Sequence, residues 1–241
     1  MAGHSHWARI KRQKAAVDKG RAKVFSKFSK AIMIAARAGG GDPDMNLSLR
    51  YAIDRARAGN MTNDAIDRAI KKATGELGEK VFEDVTYEGY GPGGVAIVVE
   101  ATTDNRSRTA PDLRNLFARH GGNLGGPGSV MFQFERRGLL GLPLEVGTED
   151  QVFEVAVEAG ADDVQRSDEG YMISTTPQSF DAVKKALAAK SWELTTAEIA
   201  YVPTTTIQVD GATAQSVESL VEALEGNDDV QNVYTNMEPP G

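Results

Sequence analysis

The residues able to do covalent or acid–base chemistry are few and scattered. Cysteine is absent, which excludes disulfides, thiol nucleophiles and thiolate metal sites. The three histidines, His4, His6 and His120, make neither a triad nor a metal cluster. No serine sits in a nucleophile elbow. Ala2-Gly3-His4 would offer, once Met1 is removed, the square-planar nitrogen set that copper(II) or nickel(II) prefers. A terminus without second-shell support makes a poor physiological site, and His120 reads as a helix-end residue favoured by the helix dipole. The acids pair only in turns such as Asp42-Pro43-Asp44 and Asp228-Asp229. These residues predict no enzyme, no cofactor and no metal centre.

Two glycine-rich stretches are candidates for phosphate binding. Residues 89–94, Gly-Tyr-Gly-Pro-Gly-Gly, satisfy G-x-G-x-x-G, but a dinucleotide site needs a helix N-terminus after that motif to hold the pyrophosphate. Val95 to Val99 follow instead, which read as a strand, and Pro92 removes one backbone donor. The stretch is expected to be a hairpin turn. Gly121 to Gly128, Gly-Gly-Asn-Leu-Gly-Gly-Pro-Gly, offers almost no side-chain chemistry. Its smallness suits close approach of a backbone, either the chain's own or that of RNA.

The charge distribution is more informative than any motif. The formal net charge is -7, yet residues 1–80 hold 17 Lys/Arg against 8 Asp/Glu, a net of +9, and residues 81–241 hold 10 against 26, a net of -16. Residues 1–40 alone carry 10 bases and a single acid, Asp18. Lys23, Lys27, Lys30 and Arg37 recur at helical spacing on one face, preceded by Lys11, Arg12, Lys14, Lys19 and Arg21, with Trp7 placed to stack on a base. Such a row can track phosphates. These ten residues are the candidate nucleic-acid-binding set, with Arg106 and Arg108 as secondary candidates. The alternative is a solvated basic face that binds the acidic half of its own chain. The acidic half would itself repel a polyanion and orient the molecule on it.

The elements that would position these residues follow from periodicity. Val24, Phe28, Ala31, Ile32 and Ala35 form one apolar stripe over a helix from Arg21 to Arg37, ended at Gly39-Gly40-Gly41. A second helix, capped by Asn46, carries Leu49, Ile53 and Ala56. A third, capped by Thr62 or Asn63, carries Ile66, Ala69, Ile70 and Ala73 and ends at Gly75. Residues 81–136 then read as strands 85–88 and 95–101, a helix 106–120 capped by Asp104, and a strand 129–134. A short strand near Leu139-Leu140, helix 149–159, strands 162–166 and 171–175, helix 178–190 and strand 192–200 give the ferredoxin-like order β-α-β-β-α-β. Strand 204–209, helix 212–225 and strand 229–236 remain, too few to fold alone, and are expected to complete the sheet begun at residue 81. The fold class is therefore α+β and multidomain. A basic helical domain (1–80) precedes a central α/β domain (81–136 plus 203–241), into which a ferredoxin-like domain (137–202) is inserted. No apolar run approaches membrane-spanning length and no secretory h-region is present. The basic stretch runs on into a folded domain, unlike a removable leader. The expected location is cytoplasmic.

Met-Ala-Gly-His-Ser-His-Trp at 1–7, Lys14-Ala15-Ala16, Arg21-Ala22-Lys23-Val24-Phe25-Ser26-Lys27 and Tyr87-Glu88-Gly89-Tyr90-Gly91-Pro92 resemble the YebC/PmpR family. So do Thr103-Asp104-Asn105-Arg106, Gly121-Gly122-Asn123-Leu124, Gly128-Ser129-Val130 and Asp229-Val230-Gln231-Asn232-Val233-Tyr234. His6 stands where the family pattern has lysine. The resemblance implies a helical first domain and two α/β domains around a cleft, where the acidic surfaces suit a protein partner. It also implies gene regulation, by either of two routes. The family is usually labelled as probable DNA-binding transcriptional regulators, but it includes the mitochondrial translational activator of cytochrome oxidase subunit I and bacterial members linked to ribosomes stalled on proline-rich sequences. The basic arm ahead of a basic helix favours rRNA or the ribosome, with duplex DNA as the alternative and no membrane partner.

Overall fold

The computed structural model describes residues 21–74 and 82–238, the side chains of residues 21–23 excepted. In chain order the elements are α1 (Arg21–Gly39), α2 (Leu47–Ala58), α3 (Asn63–Ala73), β1 (Glu83–Tyr90), β2 (Ala96–Thr103), α4 (Arg106–Arg119) and β3 (Asn123–Leu124). They continue with β4 (Phe134–Leu142), α5 (Glu149–Glu158), β5 (Asp163–Ser167), β6 (Gly170–Thr175), α6 (Phe180–Ala189), β7 (Thr196–Pro203), α7 (Gly211–Glu225) and β8 (Val230–Thr235). This is the expected α+β architecture. Phe132–Thr206 packs as one compact unit, and the described residues before it pack with those from Ile207 onward as a second.

In the second unit α1 packs against both α2 and α3. The sequence stripe becomes the core here, where Ile32, Ala35, Leu49, Ile53, Ala56, Ile66 and Ala69 are buried together. Asn46 closes two helices at once. Its Oδ1 accepts from the amide of Leu49 at 3.1 Å, capping α2, while its Nδ2 donates to the carbonyls of Ala35 (2.7 Å) and Gly40 (2.8 Å) at the end of α1. Thr62 caps α3. Its C-cap is Thr74, and Gly75 lies outside the described residues.

The sheet of this unit is antiparallel, in the order β3-β1-β2-β8. Val95 to Val99 are all buried, and α4 and α7 supply Leu113, Phe117, Val217, Leu220 and Leu224 to the same core. Phe132–Thr206 holds the other antiparallel sheet, in the order β5-β6-β4-β7. Taken as the strands of β-α-β-β-α-β, that is the ferredoxin-like arrangement, with the first strand beside the third and the fourth.

Several local expectations are corrected. Val130, Phe132 and Phe134 alternate as a strand would, yet Met131–Gln133 is a turn of 3-10 helix and Phe132 is 74% exposed. The amides of Val130 and Met131 both donate to Glu88, which curls the backbone away from a ladder. The strand expected near Leu139-Leu140 is nine residues long, Phe134–Leu142. Residues 204–209 make one parallel bridge, Ile207 to Met237, rather than a strand. The helix α4 is capped by Asn105, whose side chain accepts from the amide of Arg108, while Asp104 pairs with the Arg108 guanidinium. Strand β7 begins at Thr196 rather than 192, and Ser191, at φ 59, lies in the turn that follows α6.

Gly89 shows how tightly β1 is packed. A Cβ there would lie 2.6 Å from the carbonyl oxygen of Asn123 and 2.7 Å from the Phe117 ring. Gly89→Ala is expected to destabilise the protein by roughly 1–3 kcal/mol, because a backbone carbonyl cannot swing aside. Urea unfolding checks this, and an unchanged midpoint would show that the sheet yields.

Candidate nucleic-acid interface

Of the ten candidate residues, Trp7, Lys11, Arg12, Lys14 and Lys19 lie outside the described residues. Arg21 and Lys23 open α1, and their side chains are not described. The remaining three are engaged with the chain itself. Lys27 Nζ donates to the carbonyl of Glu225 at 2.5 Å, placing a cation at the negative end of α7. Lys30 Nζ donates to Asp229 Oδ1 at 2.7 Å and to the Asp228 carbonyl at 2.9 Å, and lies 5.7 Å from the centre of the Phe82 ring. Arg37 Nε donates to the carbonyl of Ala73 at the end of α3. Side chains expected to track phosphates instead bind acids and carbonyls of their own chain in this conformation.

Both secondary candidates are ion-paired. Arg106 meets Glu83 at 2.6 Å, and Arg108 reaches Asp104 at 3.0 Å and Asp229 at 2.8 Å. Exposed cations on the described helices include Arg57, Arg68, Lys71 and Lys72 on α2 and α3, and Arg114 and Arg119 on α4.

The organising residue is one the charge pattern did not single out. Asp229 is 5% exposed. Its Oδ1 takes the Lys30 ammonium, and its Oδ2 takes the Arg108 guanidinium and the Thr109 hydroxyl, both at 2.8 Å, with Thr103 Oγ1 farther off at 3.4 Å. Burial pushes this carboxyl up, but hydrogen bonds from Arg108, Lys30 and Thr109 outweigh burial and hold it at about 2. A parallel contact lies beside it. Arg55 of α2 donates to Asn232 Oδ1 at 2.7 Å, and Asn232 in turn donates to Glu100 Oε2 at 2.8 Å, an oxygen that also accepts from the Tyr234 hydroxyl. In the sequence, Asp229 offered its pairing with Asp228 in a turn and its place at the head of a family-like motif, and nothing in either names partners about 120 and 200 residues away.

The two glycine-rich stretches resolve differently. Residues 89–94 form the β1–β2 turn, with Gly93 and Gly94 in the left-handed region at φ 69 and 76. The turn closes through the Gly91 amide on the Val95 carbonyl. The loop from Gly121 approaches its own chain. Its Gly128, Val130 and Met131 amides donate to the buried Glu88 carboxylate at 2.6–2.8 Å, and Gly125 donates to the Glu88 carbonyl. Burial raises the Glu88 carboxyl, but those three amides prevail and hold it below its ordinary value. A side-chain carboxylate thus occupies a backbone nest of the kind that binds anions. No group of three metal-ligating side chains is present among the described residues.

Comparison with known proteins gives this arrangement a family. Residues 5–76 match the model of the TACO1/YebC protein N-terminal domain, and residues 82–237 match that of the TACO1/YebC second and third domain. The chain belongs to the TACO1/YebC family. A probable transcriptional regulatory protein of Sulfurihydrogenibium sp. is 50% identical over 242 residues, covering 100% of this chain and 96% of the relative. A probable transcriptional regulatory protein of Dictyoglomus turgidum is 49% identical, with 100% and 97% covered. The crystal structure of a conserved hypothetical protein from Aquifex aeolicus superposes with a TM-score of 0.88 at 47% identity, covering 98% of both chains. The resemblance to YebC read from the sequence is borne out. Among the described residues, no helix is long and apolar enough to cross a membrane.

Acid should reveal the Asp229 hub. The folded carboxyl titrates at about 2 against an ordinary 3.8, so its contribution is complete above about pH 5 and disappears as pH falls through 4 towards 2. That contribution is roughly 2 kcal/mol. Urea unfolding should show Asp229→Asn well below wild type at pH 7, with the gap narrowing by that amount towards pH 2. A gap that does not change with pH would remove the hub from the account.

Proposed function

We propose that this TACO1/YebC protein is a non-enzymatic cytoplasmic regulator of gene expression that binds nucleic acid through its basic N-terminal part. The observation that carries this reading is the separation of charge, with 10 bases against one acid in residues 1–40 of a chain whose net charge is -7. A polyanion is the partner such an end attracts. Relatives named as probable transcriptional regulatory proteins favour duplex DNA as the target.

A second reading, an RNA or ribosome target and action in translation, has one specific observation behind it. The pair α2–α3, two helices joined by a short link through Asn60 at φ 62, is where a helix-turn-helix would have to lie among the described residues. A recognition helix presents its N-terminal residues to base edges between two rows of phosphates. Here the first turn of α3 carries Asp64, with Asp67 also exposed, and both acids would face those phosphates. An irregular RNA surface suits such a bundle better than a groove.

Fluorescence anisotropy of the full chain with labelled duplex DNA and with rRNA fragments, across a range of salt, tests both. Replacing Lys11, Arg12, Lys14 and Lys19 with alanine should weaken binding and flatten the slope of log affinity against log salt by about 3, since each phosphate contact adds roughly 0.7–0.9. An unchanged slope would sink the nucleic-acid reading. A loss confined to duplex DNA supports transcription, and a loss greater with rRNA supports translation.

A further inference from the structure

Lys27 and Lys30, on the basic face of α1, are both occupied. Lys27 and Lys30 are seated on the corner where α7 ends and β8 begins, formed by the Glu225 carbonyl, the Asp228 carbonyl and the Asp229 carboxylate. Arg55 of α2 adds a third cation, through Asn232, to the same sheet. Lys30 and Asp229 keep only 12% and 7% of their side-chain surface exposed. A phosphate group cannot reach the ammonium of Lys30 while that pair stands. The contacts are charged and polar, the character of interfaces within a chain that separate and reform. A single stretch of chain, residues 74–82, links α3 to β1.

We propose that this docking is autoinhibitory, so that nucleic-acid phosphates and the Glu225–Asp229 corner compete for Lys27 and Lys30, and binding releases the helices from the sheet. The inference rests on the nucleic-acid reading above. The corner offers the same chemistry as a phosphate backbone: anionic or strongly polar oxygens in a row, met by ammonium groups one helical turn apart. Lys30 carries three donors and spends them on Asp229, on Asp228 and towards the Phe82 face. A polyanion that takes Lys27 and Lys30 forfeits these contacts, and its observed affinity is lowered by what the docking is worth. The acidic half of the chain thereby acts as an internal substitute for the ligand. Weak ligands with few phosphates would leave the helices docked, whereas a long backbone engaging residues 11–30 together would displace the corner.

Cysteine is absent from the chain, so a Ser48→Cys, Gln215→Cys protein can be labelled at two exposed positions, on α2 and α7. Energy transfer between the dyes reports the docking in the full chain. Saturating it with duplex DNA, or with single-stranded RNA, long enough to engage residues 11–30 together should lower the transfer efficiency. Asp229→Asn should raise the affinity for either probe about 10-fold, the size of a typical coupling between two states. Asn232→Ala, which removes the acceptor of Arg55 and leaves the Asp229 cluster in place, should raise affinity in the same direction and covers the case in which Asp229→Asn fails to fold. Saturated binding with unchanged transfer, or Asn232→Ala binding no tighter than wild type, would overturn the latch while leaving the nucleic-acid reading standing. Absence of binding by either probe at any ionic strength would overturn both.

Discussion

The carboxylate of Asp229 lies where three separately formed elements meet, and an ionised carboxylate buried without partners would cost several kcal/mol. The chain avoids that cost by bringing Lys30 from α1 and Arg108 and Thr109 from the start of α4 to the two oxygens. Each donor is fixed by a different local rule. Lys30 is presented by a helix whose opposite side is committed to the core through Ile32 and Ala35. Arg108 and Thr109 are held in the first turn of α4 by the Asn105 cap. The backbone around Asp229 is pinned as well, its amide donating to Asn227 and its carbonyl accepting from Thr102. Beside this cluster, Lys27 on the Glu225 carbonyl and Arg55 on Asn232 also join the helices to the sheet and its helix α7.

Charge also accounts for the contrast between the two ends of the chain. A net of +9 on residues 1–80 and -16 on the remainder reads at first as two surfaces meant for different partners. The contacts of Lys27, Lys30 and Arg55 show them partly meant for each other. Glu88 repeats this logic on a smaller scale, because a carboxylate fills a nest of three amides in a glycine-rich loop that a phosphate would otherwise suit.

What could be read from the sequence was whatever depends on neighbours along the chain. Asn46 and Thr62 as caps, the apolar stripe of α1, the buried run Val95–Val99 and the β-α-β-β-α-β order all follow from spacing of a few residues. Some failures are local, such as Asn105 rather than Asp104 capping α4, but the larger ones come from a distant contact overriding a local pattern. Val130, Phe132 and Phe134 alternate correctly for a strand, but Glu88, some forty residues earlier, takes the Val130 and Met131 amides, and only Phe134 enters one. Lys27 and Lys30 are correctly placed on one helical face, but periodicity does not say what that face meets. Asp229 stood in the sequence only as a turn acid beside Asp228 and as the start of a family-like motif, neither of which names its partners. Its role arises from partners at positions 30, 108 and 109 that only the folded chain assembles.

The coupling between Lys30 and Asp229 is the most direct measure of whether this cluster joins the helices to the sheet. A double-mutant cycle of Lys30→Met and Asp229→Asn, followed by urea unfolding at neutral pH, isolates it from the other contacts of each residue. The expected result is a coupling of about 1–3 kcal/mol, the double variant losing less stability than the two single losses together. Losses that simply add, within about 0.3 kcal/mol, would contradict the account.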